Sequence, residues 1–518
     1  MTLPLPPAVA LDLPPHRLSG VVYAALLNHA RLLAALGDAV HQPPYKAPPR
    51  APVLAVKPSN TLAADGSTVA VPAGLDGLRV EAQLGLVVGR TACRVAEADA
   101  LDHLAGLLLV ADVVAPHDSH YRPAVRQRAL DGSCVLGGRV VPLAELPGGA
   151  AALDGLALQL QVDGAPAQAV PAGERVRGAA RLLAEVSAFM TLSPGDVLLM
   201  GGALGAPLVR PGQAVVVRAD GLGRVEARLL AEAAAAVVPP DSLPASPRAT
   251  PPSSPAALRP TARVAFDGAV HSATPHPQGL QLADGRVLAE DQVVWLPPFE
   301  VGSILALGLN YADHVKELAR ELTVTAQDEP LVFLKGPGAL VGHRGHTPRP
   351  VDAAFMHYEC ELAVVIGRTA RHVPAERAMD HVAGYTVAND YAVRDYLENW
   401  YRPNLRVKNR DRATAIGPWF VPAAAVADPH ALGLRTFVNG RLTQQGSTAQ
   451  MVHRIPALIA WLSSFMTLQP GDVVLTGTPD GVVNVNPGDE VVCEIDGIGR
   501  LVNTLVADPG PTHPSRGA

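Results

Sequence analysis

The sequence pattern that most clearly could perform chemistry begins with two glutamates separated by one residue. Glu359 and Glu361 flank Cys360 in a segment typical of a β-strand, whose two-residue period directs both carboxylates to one face. Asp390 follows another apolar segment further along the chain. Carboxylates so close together repel each other unless a cation or a shared proton intervenes. Three carboxylates with no Cys ligand and no neighbouring His ligand favour a hard cation, Mg²⁺ or Mn²⁺; the alternative is a solvated strand face.

A histidine and a glutamate lie three residues apart in the segment NYADHVKEL, which is typical of a helix. At this spacing His314 and Glu317 are neighbours on one helical face, so the carboxylate can orient the imidazole and favour its charged form. The pair is therefore a candidate general acid and base. The alternative is a surface helix with ordinary polar residues.

Two further segments contain candidate substrate-binding groups. Lys408 lies among several arginines in RPNLRVKNRD, which indicates either a solvated basic loop or capture of an anionic substrate. Thr478 lies in TGTPDG, a turn predicted after a buried strand, where its hydroxyl and nearby backbone N–H groups can hold a carboxylate. Many turns share this composition, so the threonine alone is a weak signal.

The elements that must position these residues are predicted to be mainly strands. The segments ELAVVIG, DVVLTG and DEVVCEI are short apolar or alternating runs bounded by Gly, Pro or Asp. The segment VHRIPALIAWLSSFM has apolar residues at helical spacing. A further β-like segment covers 262–295. The predicted class is α+β, with a mixed, strand-rich core and a few short helices.

The chain contains a long internal duplication. FMTLSPGDVLLMGG begins at Phe189 and FMTLQPGDVVLTGT at Phe465, and DGLGR at Asp220 matches DGIGR at Asp496 with the same offset. VEAQLGLVVGRTA and YRPAVRQRALD in the first half match YECELAVVIGRTA and YRPNLRVKNRD in the second. This period is far too long for a solenoid, and it indicates two homologous domains packed as an internal pseudo-dimer, with further homo-oligomerisation open.

A stretch rich in Pro, Ser and Ala divides the two copies. Such a composition cannot bury enough apolar surface to order itself and predicts an extended spacer. The predicted organisation is an N-terminal repeat, 1–238, a linker, 239–261, and a C-terminal repeat, 262–518.

Composition excludes several classes of function. The 518 residues include 42 Lys and Arg against 48 Asp and Glu, a net charge of −6, and 4% aromatic residues, which argues against binding nucleic acid or anionic membranes. The four cysteines contain no CxxC pair, which predicts a reducing cytoplasm rather than a disulfide framework or structural zinc. We find neither a signal peptide nor an apolar run long enough to span a bilayer, so a soluble cytoplasmic protein is predicted.

Together these motifs resemble the fumarylacetoacetate hydrolase superfamily. The resemblance rests on LGLNYADHVKE, PLVFLKGPG, HYECELAVVIG, NDYAVRDYLENWYRPNLRVK, FVNGRLTQQGST and PGDVVLTGTPDG in the second half. It is closer to a tandem-duplicated branch, the isomerase/decarboxylases of bacterial 4-hydroxyphenylacetate (homoprotocatechuate) degradation. QPPYKAPPRAPVLAVKPSNT resembles the first half of that branch. The resemblance implies two mixed-β domains of the β-roll or sandwich type.

The resemblance also implies roles for individual residues. Glu359, Glu361 and Asp390 would bind the metal, usually Mg²⁺ with Mn²⁺ possible. The catalytic His–Glu dyad falls on His314 and Glu317, and the active-site lysine on Lys408. Arg394 and Thr478 are candidate substrate contacts.

The first half departs from this pattern at most of the corresponding positions. Glu81 and Asp112 match two of the metal ligands, but Gln83 stands where Glu361 does. The other replacements are Leu32 and Ala35 for the dyad, Arg128 for Lys408, and Gly202 for Thr478. An amide removes one negative charge and leucine cannot move protons. The first half is therefore either a packing partner or the carrier of a separate activity that uses the remaining acidic and histidine side chains: Glu81, Asp112, His29, His117 and His120.

The activity implied by the resemblance is metal-dependent. A tricarboxylate 2-oxo acid, 5-oxopent-3-ene-1,2,5-tricarboxylate, would lose CO₂ to give 2-hydroxyhepta-2,4-dienedioate, which then isomerises to 2-oxohept-3-enedioate. An alternative is C–C bond hydrolysis of an acylpyruvate or a fumarylacetoacetate-like diketone, with the dyad activating water. A third possibility is a non-catalytic ligand-binding or scaffold protein, which the complete residue set of the second half opposes.

Overall fold

The computed structural model describes residues 11–13, 16–18, 20–232, 258–311 and 329–508. These residues form two compact units. The first lies within Met1–Val237 and also includes the short segments Glu398–Leu405 and Phe465–Thr467, and the second contains the remaining residues. Most of the predicted linker, 239–257, lies outside the described residues. Within the part of the chain that is described, no helix is long and apolar enough to cross a membrane.

The first unit is built mainly from strands. They are β1 (Leu11–Leu13), β2 (His16–Leu18), β3 (Val22–Leu26), β4 (Val53–Lys57), β5 (Leu62–Ala64), β6 (Ser67–Val71), β7 (Leu78–Val88), β8 (Leu104–Val114), β9 (Cys134–Leu136), β10 (Leu158–Val162), β11 (Ala165–Val170), β12 (Val197–Leu199), β13 (Leu208–Val209), β14 (Ala214–Ala219) and β15 (Gly223–Ala231). Its helices are α1 (Ala30–Ala34), α2 (Val125–Arg128) and α3 (Ala179–Ser187).

The strands of the first unit form two main sheets. The larger, eight-stranded sheet has the order β4-β3-β12-β7-β8-β9-β5, with β13 paired to β7, and the five-stranded sheet has the order β11-β10-β14-β15-β6. Strands β7 and β8 are long and almost entirely buried, because apolar residues occupy both of their faces. Val87, Val110 and Val197 are among the residues that pack into the core of the larger sheet.

The second unit repeats this plan and adds a sheet. Its strands are β16 (Ala262–Phe266), β17 (Ala269–His276), β18 (Gly279–Leu282), β19 (Val287–Leu288), β20 (Val294–Leu296), β21 (Ile304–Gly308), β22 (Leu331–Lys335), β23 (Leu340–Val341), β24 (His346–Arg349), β25 (Met356–His357), β26 (Cys360–Ile366), β27 (Val382–Asp390), β28 (Ala392–Val393), β29 (Thr414–Pro422), β30 (Gly433–Val438), β31 (Arg441–Ser447), β32 (Val473–Leu475), β33 (Glu490–Ile495) and β34 (Gly499–Ala507). Among the described residues of the second half, the helices are α4 (Leu405–Lys408) and α5 (Ile455–Ser463).

Strand order confirms the duplication at the level of topology. The seven-stranded sheet of the second unit, β22-β21-β32-β26-β27-β29-β23, repeats the path of the larger sheet of the first unit strand by strand. The five-stranded sheet β24-β34-β33-β30-β31 likewise repeats the smaller sheet, and β25 and β28 form a separate pair. The predicted α+β class and the predicted strands ELAVVIG, DVVLTG and DEVVCEI are confirmed.

Two further sequence predictions about the second unit are confirmed. The β-like segment 262–295 forms a five-stranded sheet, β19-β18-β17-β16-β20, around Val264, Leu280 and Trp295. The predicted helix is α5, which buries Ile455, Leu458, Ile459 and Leu462 at the spacing of one helical face. It is shorter than the apolar pattern: it begins at Ile455, with a proline in its first turn, and ends at Ser463.

Candidate active site

Pairing between β26 and β27 brings the three predicted carboxylates together. These strands are antiparallel, with Cys360 opposite Asn389, and the backbone N–H of Asp390 donates to the carbonyl of Glu359 over 2.9 Å. Each of the three side chains offers an oxygen atom within 4.8 Å of the others. Glu361 and Asp390 are fully buried. The solvated strand face is therefore the wrong interpretation of Glu361.

Two buried lysines are in contact with this carboxylate cluster. Lys408, at the end of α4, places its Nζ 2.6 Å from Glu359 Oε2 and 3.1 Å from Asp390 Oδ2. Lys335, at the end of β22, contacts Asp390 Oδ1 over 2.5 Å and also donates to the carbonyl of Lys408. The solvated basic loop is thus the wrong interpretation of Lys408. Three carboxylates against two ammonium groups leave one formal negative charge.

The electrostatics of the cluster favour an additional cation. Burial and then the neighbouring Asp390 and Glu359 carboxylates raise the pKa of Glu361 well above its usual value. Burial opposes the charge of Lys408, but the three carboxylates outweigh it and raise the pKa of this lysine. Among the described residues, Glu361 Oε1 is buried without a hydrogen-bond partner. A set of oxygen donors with an unsatisfied buried atom suits a divalent hard cation.

The turn that contains Thr478 supports Glu361 directly. The backbone N–H of Gly477 donates to Glu361 Oε2 over 2.6 Å. Gly477 has a φ of 85°, and an added Cβ would lie 3.1 Å from the Cβ of Asn310, so a side chain is disfavoured here. Thr478 is buried, and its hydroxyl accepts a hydrogen bond from Gln444 Nε2 over 3.0 Å. The turn therefore orients a carboxylate of the cluster, a role that the sequence did not predict for it.

Of the remaining predicted site residues, the structure describes only Arg394. Arg394 is half-buried at the start of a short 3₁₀ turn, and its backbone N–H donates to the carbonyl of Phe355. Burial is the main reason that the pKa of His357 falls to about 4, and the guanidinium charge of Arg394 contributes. His314 and Glu317 lie outside the described residues. Asn310, close before them in the chain, is fixed by hydrogen bonds from its Nδ2 to the carbonyls of Thr476 and His453.

Lys335 and His357 are site residues that sequence reasoning missed. His357 is buried, with its Nδ1 3.7 Å from Glu359 Oε1. Lys335 is the single charged residue at the end of the apolar run LVFLK, and this could have indicated a site residue. A lysine in such a position is either exposed to solvent or paired with a carboxylate. The partner itself, Asp390, lies 55 residues away and follows from strand pairing that the sequence does not specify.

We expect Lys335→Met to destabilise the second unit by about 3 kcal/mol without metal, because it leaves buried carboxylate charge less compensated. Urea unfolding in EDTA, followed by tryptophan fluorescence, measures this loss. Lys46→Met, at an exposed lysine of the first unit, is the control and should unfold like the wild type. An unchanged urea transition for Lys335→Met would contradict the account of the buried charge cluster.

In the first unit the corresponding cluster is formed by Glu81, Gln83 and Asp112. We call it closed, because these side chains bind one another and two neighbouring cations. Gln83 Nε2 donates to Glu81 Oε2 and to Asp112 Oδ2, each over 3.0 Å. Arg128 Nη2 donates to Glu81 Oε1 over 2.7 Å, and Lys57 forms an ion pair with Asp112. Two carboxylates and two cations leave no formal charge. Unlike the cluster of the second unit, this one is satisfied without a metal ion.

Comparisons with known proteins identify both repeats. The family model "Fumarylacetoacetate (FAA) hydrolase C-terminal" matches residues 21–230 and 303–506. The chain is 42% identical over 491 residues to the 4-hydroxyphenylacetate degradation bifunctional isomerase/decarboxylase of Salmonella dublin, with 95% of this chain and 99% of the relative covered. It is 41% identical, with the same coverage, to the homoprotocatechuate catabolism bifunctional isomerase/decarboxylase of Escherichia coli.

Solved structures resemble one repeat at a time. The 5-carboxymethyl-2-hydroxymuconate delta-isomerase of Mycobacterium smegmatis is 36% identical, with a TM-score of 0.42, and the match covers 48% of this chain and 99% of that one. The fumarylpyruvate hydrolase of Pseudomonas aeruginosa, solved with Mn²⁺ and pyruvate, is 32% identical, with a TM-score of 0.38 and coverages of 41% and 92%. The two family matches, one on each repeat, show that the chain belongs to the fumarylacetoacetate hydrolase family.

Proposed function

We propose that this chain is a metal-dependent carboxy-lyase and isomerase that acts on 5-oxopent-3-ene-1,2,5-tricarboxylate. It would release CO₂ to give 2-hydroxyhepta-2,4-dienedioate and convert this dienol to 2-oxohept-3-enedioate. The observation that carries the proposal is the buried cluster of Glu359, Glu361 and Asp390 with two lysines, in a chain 42% identical over nearly its whole length to a bifunctional isomerase/decarboxylase.

The metal proposed for this cluster is Mg²⁺, and Mn²⁺ fits the same oxygen donors. Glu359, Glu361 and Asp390 would hold it. When bound, the ion would act as a Lewis acid toward the carboxylate and carbonyl oxygens of a 2-oxo acid. The unpartnered Oε1 of Glu361 and the excess of one carboxylate over the two lysines support this assignment.

The other side chains would bind the substrate and move its protons. Lys408, kept charged by the adjacent carboxylates, would hold a substrate carboxylate close to the reacting carbonyl. Arg394 is suited to a bidentate grip on a second carboxylate, and Thr478 to a single hydrogen bond. Loss of CO₂ leaves an electron pair that the conjugated double bond delocalises to the 2-oxo oxygen. This oxygen takes up one proton to give the dienol. Transfer of a proton from that oxygen to C5 of the dienol completes the isomerisation, and His314 with Glu317 would perform it.

A product-resolved assay tests the proposed function. The purified chain with Mg²⁺ should release CO₂ from the tricarboxylate, and the ultraviolet absorbance of the dienol should rise and then fall. The same preparation should be given an acylpyruvate, because the hydrolase alternative passes through similar chemistry at the same residues. Hydrolysis of the acylpyruvate without CO₂ release from the tricarboxylate would overturn the proposal.

The two repeats should contribute unequally to this activity. We expect Glu359→Gln to remove both CO₂ release and dienol loss, whereas Glu81→Gln should leave both nearly unchanged. The reason is that Glu81 is already bound by Gln83 and Arg128 within a cluster that has no free charge. CO₂ release and dienol loss must be followed separately. Selective loss of one activity in Glu81→Gln would mean that each repeat is an independent enzyme.

A further inference from the structure

The first unit contains a cavity of about 410 Å³ beside its closed cluster. Leu27, Leu32 and Leu36 contribute apolar walls, while Arg79, His120 and other polar residues line the rest. In the sequence, Leu32 occupies the position that matches His314, the proposed catalytic histidine of the second half. The cavity is of the size that holds small-molecule ligands, with mostly apolar walls and a few polar groups.

The acidic groups beside this cavity are not free to bind a cation. Both carboxylates receive hydrogen bonds from the Gln83 amide, and Arg128 and Lys57 neutralise their charge. Burial lowers the pKa of Arg128, whereas the Glu81 carboxylate raises it. The pKa is raised overall, so the guanidinium stays charged. With Glu81 and Arg128 paired to each other, the charged side chains that line the rest of the cavity are Arg79 and Asp118. The guanidinium of Arg79 favours a ligand that accepts hydrogen bonds.

Arg79 is the donor best placed to exchange its partner. Its guanidinium donates to the carbonyl of His117 over 3.2 Å and to Asp118 Oδ1 over 3.1 Å. The Asp118 side chain is 91% exposed and that of Arg79 is 39% exposed. Such a surface ion pair contributes about 0–1 kcal/mol, so a ligand carboxylate can replace Asp118 at little cost. The bond to the His117 carbonyl would meanwhile keep the guanidinium in place.

His120 also lines this cavity and, within the described part of the chain, has a ring nitrogen without a partner. It is 9% exposed, and among the described residues its Nδ1 is buried without a hydrogen-bond partner. Burial and the nearby Arg128 charge lower its pKa to about 4, so the ring is neutral at pH 7. The ring of His117 lies 5.7 Å away, and its Nε2 accepts a hydrogen bond from Arg128 Nε, which fixes the His117 proton on Nδ1.

We propose that this cavity binds a short aliphatic carboxylate without a metal ion, with the carboxylate on Arg79 and the carbon chain against the leucine walls and the neutral ring of His120. Such a site would differ from that of the second unit in its chemistry, since a guanidinium rather than a metal ion receives the anion. The proposal assigns a binding function to the repeat that lacks the proposed catalytic residues of the second half.

Calorimetric titration of the full chain with glutarate in EDTA tests this proposal, with the enzyme free of divalent metal. We expect one glutarate per chain and at least an approximately tenfold weaker affinity in Arg79→Met, because a charge-assisted hydrogen bond is lost. Ala35→Trp, at an exposed residue of the cavity wall, should block binding without changing the polar cluster. Circular dichroism should show that both variants remain folded.

Two control variants separate this site from other sources of binding. Arg139→Met removes an exposed arginine of the same unit that pairs with Glu145 and should leave glutarate affinity unchanged. Glu361→Gln alters the cluster of the second unit and should also have no effect. Absence of binding to the wild type, unchanged affinity in Arg79→Met, or loss of binding in Glu361→Gln would overturn the proposal.

Discussion

Glu361→Gln is expected to lower Mg²⁺-dependent turnover by more than about 100-fold, because it removes a proposed ligand, and even outer-shell groups of metal sites contribute 10- to 100-fold. The first repeat shows what an amide does at this position. Gln83 donates to both neighbouring carboxylates and occupies their lone pairs. A glutamine at 361 can make the same two bonds with Glu359 and Asp390, which would close the site to a cation.

Initial rates as a function of Mg²⁺ concentration measure this effect, with thermal unfolding as the test of folding. Glu494→Gln is a suitable control, since Glu494 lies on β33 and pairs with Arg435. It should retain wild-type rates and the wild-type dependence on Mg²⁺. Full turnover of the folded Glu361→Gln variant at low Mg²⁺ would show that the metal assignment is wrong.

His314→Ala is expected to lower the decarboxylation rate by roughly 10²–10⁴-fold, the usual effect of losing a positioned acid or base. Mg²⁺ affinity should hardly change, because His314 is not a proposed ligand. Glu317→Gln should have a smaller effect if its carboxylate orients and charges the imidazole, as the third member of other His-based sites does. Single-turnover rates and Mg²⁺ binding on the same variants separate proton transfer from metal loss.

His346→Ala, at an exposed histidine of β24, is the control for the dyad and should turn over like the wild type. Near-wild-type turnover of His314→Ala would mean that this histidine is an ordinary polar residue and that another group moves the proton. His357, buried beside Glu359, would then be the next residue to substitute.

Local sequence patterns were sufficient to predict several secondary-structure elements and part of the site. The run ELAVVIG becomes β26, all of whose residues are buried, and the period of two carries Glu361 into the cluster. Apolar spacing likewise predicted α5, and the segment 262–295, which is β-like in sequence, forms strands. These features depend on interactions between residues close in sequence, which is why a single sequence contains them.

The features that were missed depend on contacts between distant strands. Lys335 reaches Asp390 because β22 and β27 belong to the same sheet, and Gly477 reaches Glu361 because the turn after β32 lies beside β26. The sequence contrast between Gln83 and Glu361 predicted a changed site in the first repeat. It did not predict that the glutamine and Arg128 would satisfy both remaining carboxylates.

The central claim is that the second repeat provides one metal site and the first provides none. Titration of the metal-free full chain with Mn²⁺, with bound ion counted by electron paramagnetic resonance, tests it most directly. We expect one tightly bound ion per chain in the wild type and in Glu81→Gln, and its loss in Glu361→Gln. Two equivalent ions per chain, or one ion that survives Glu361→Gln and is lost in Glu81→Gln, would contradict the account.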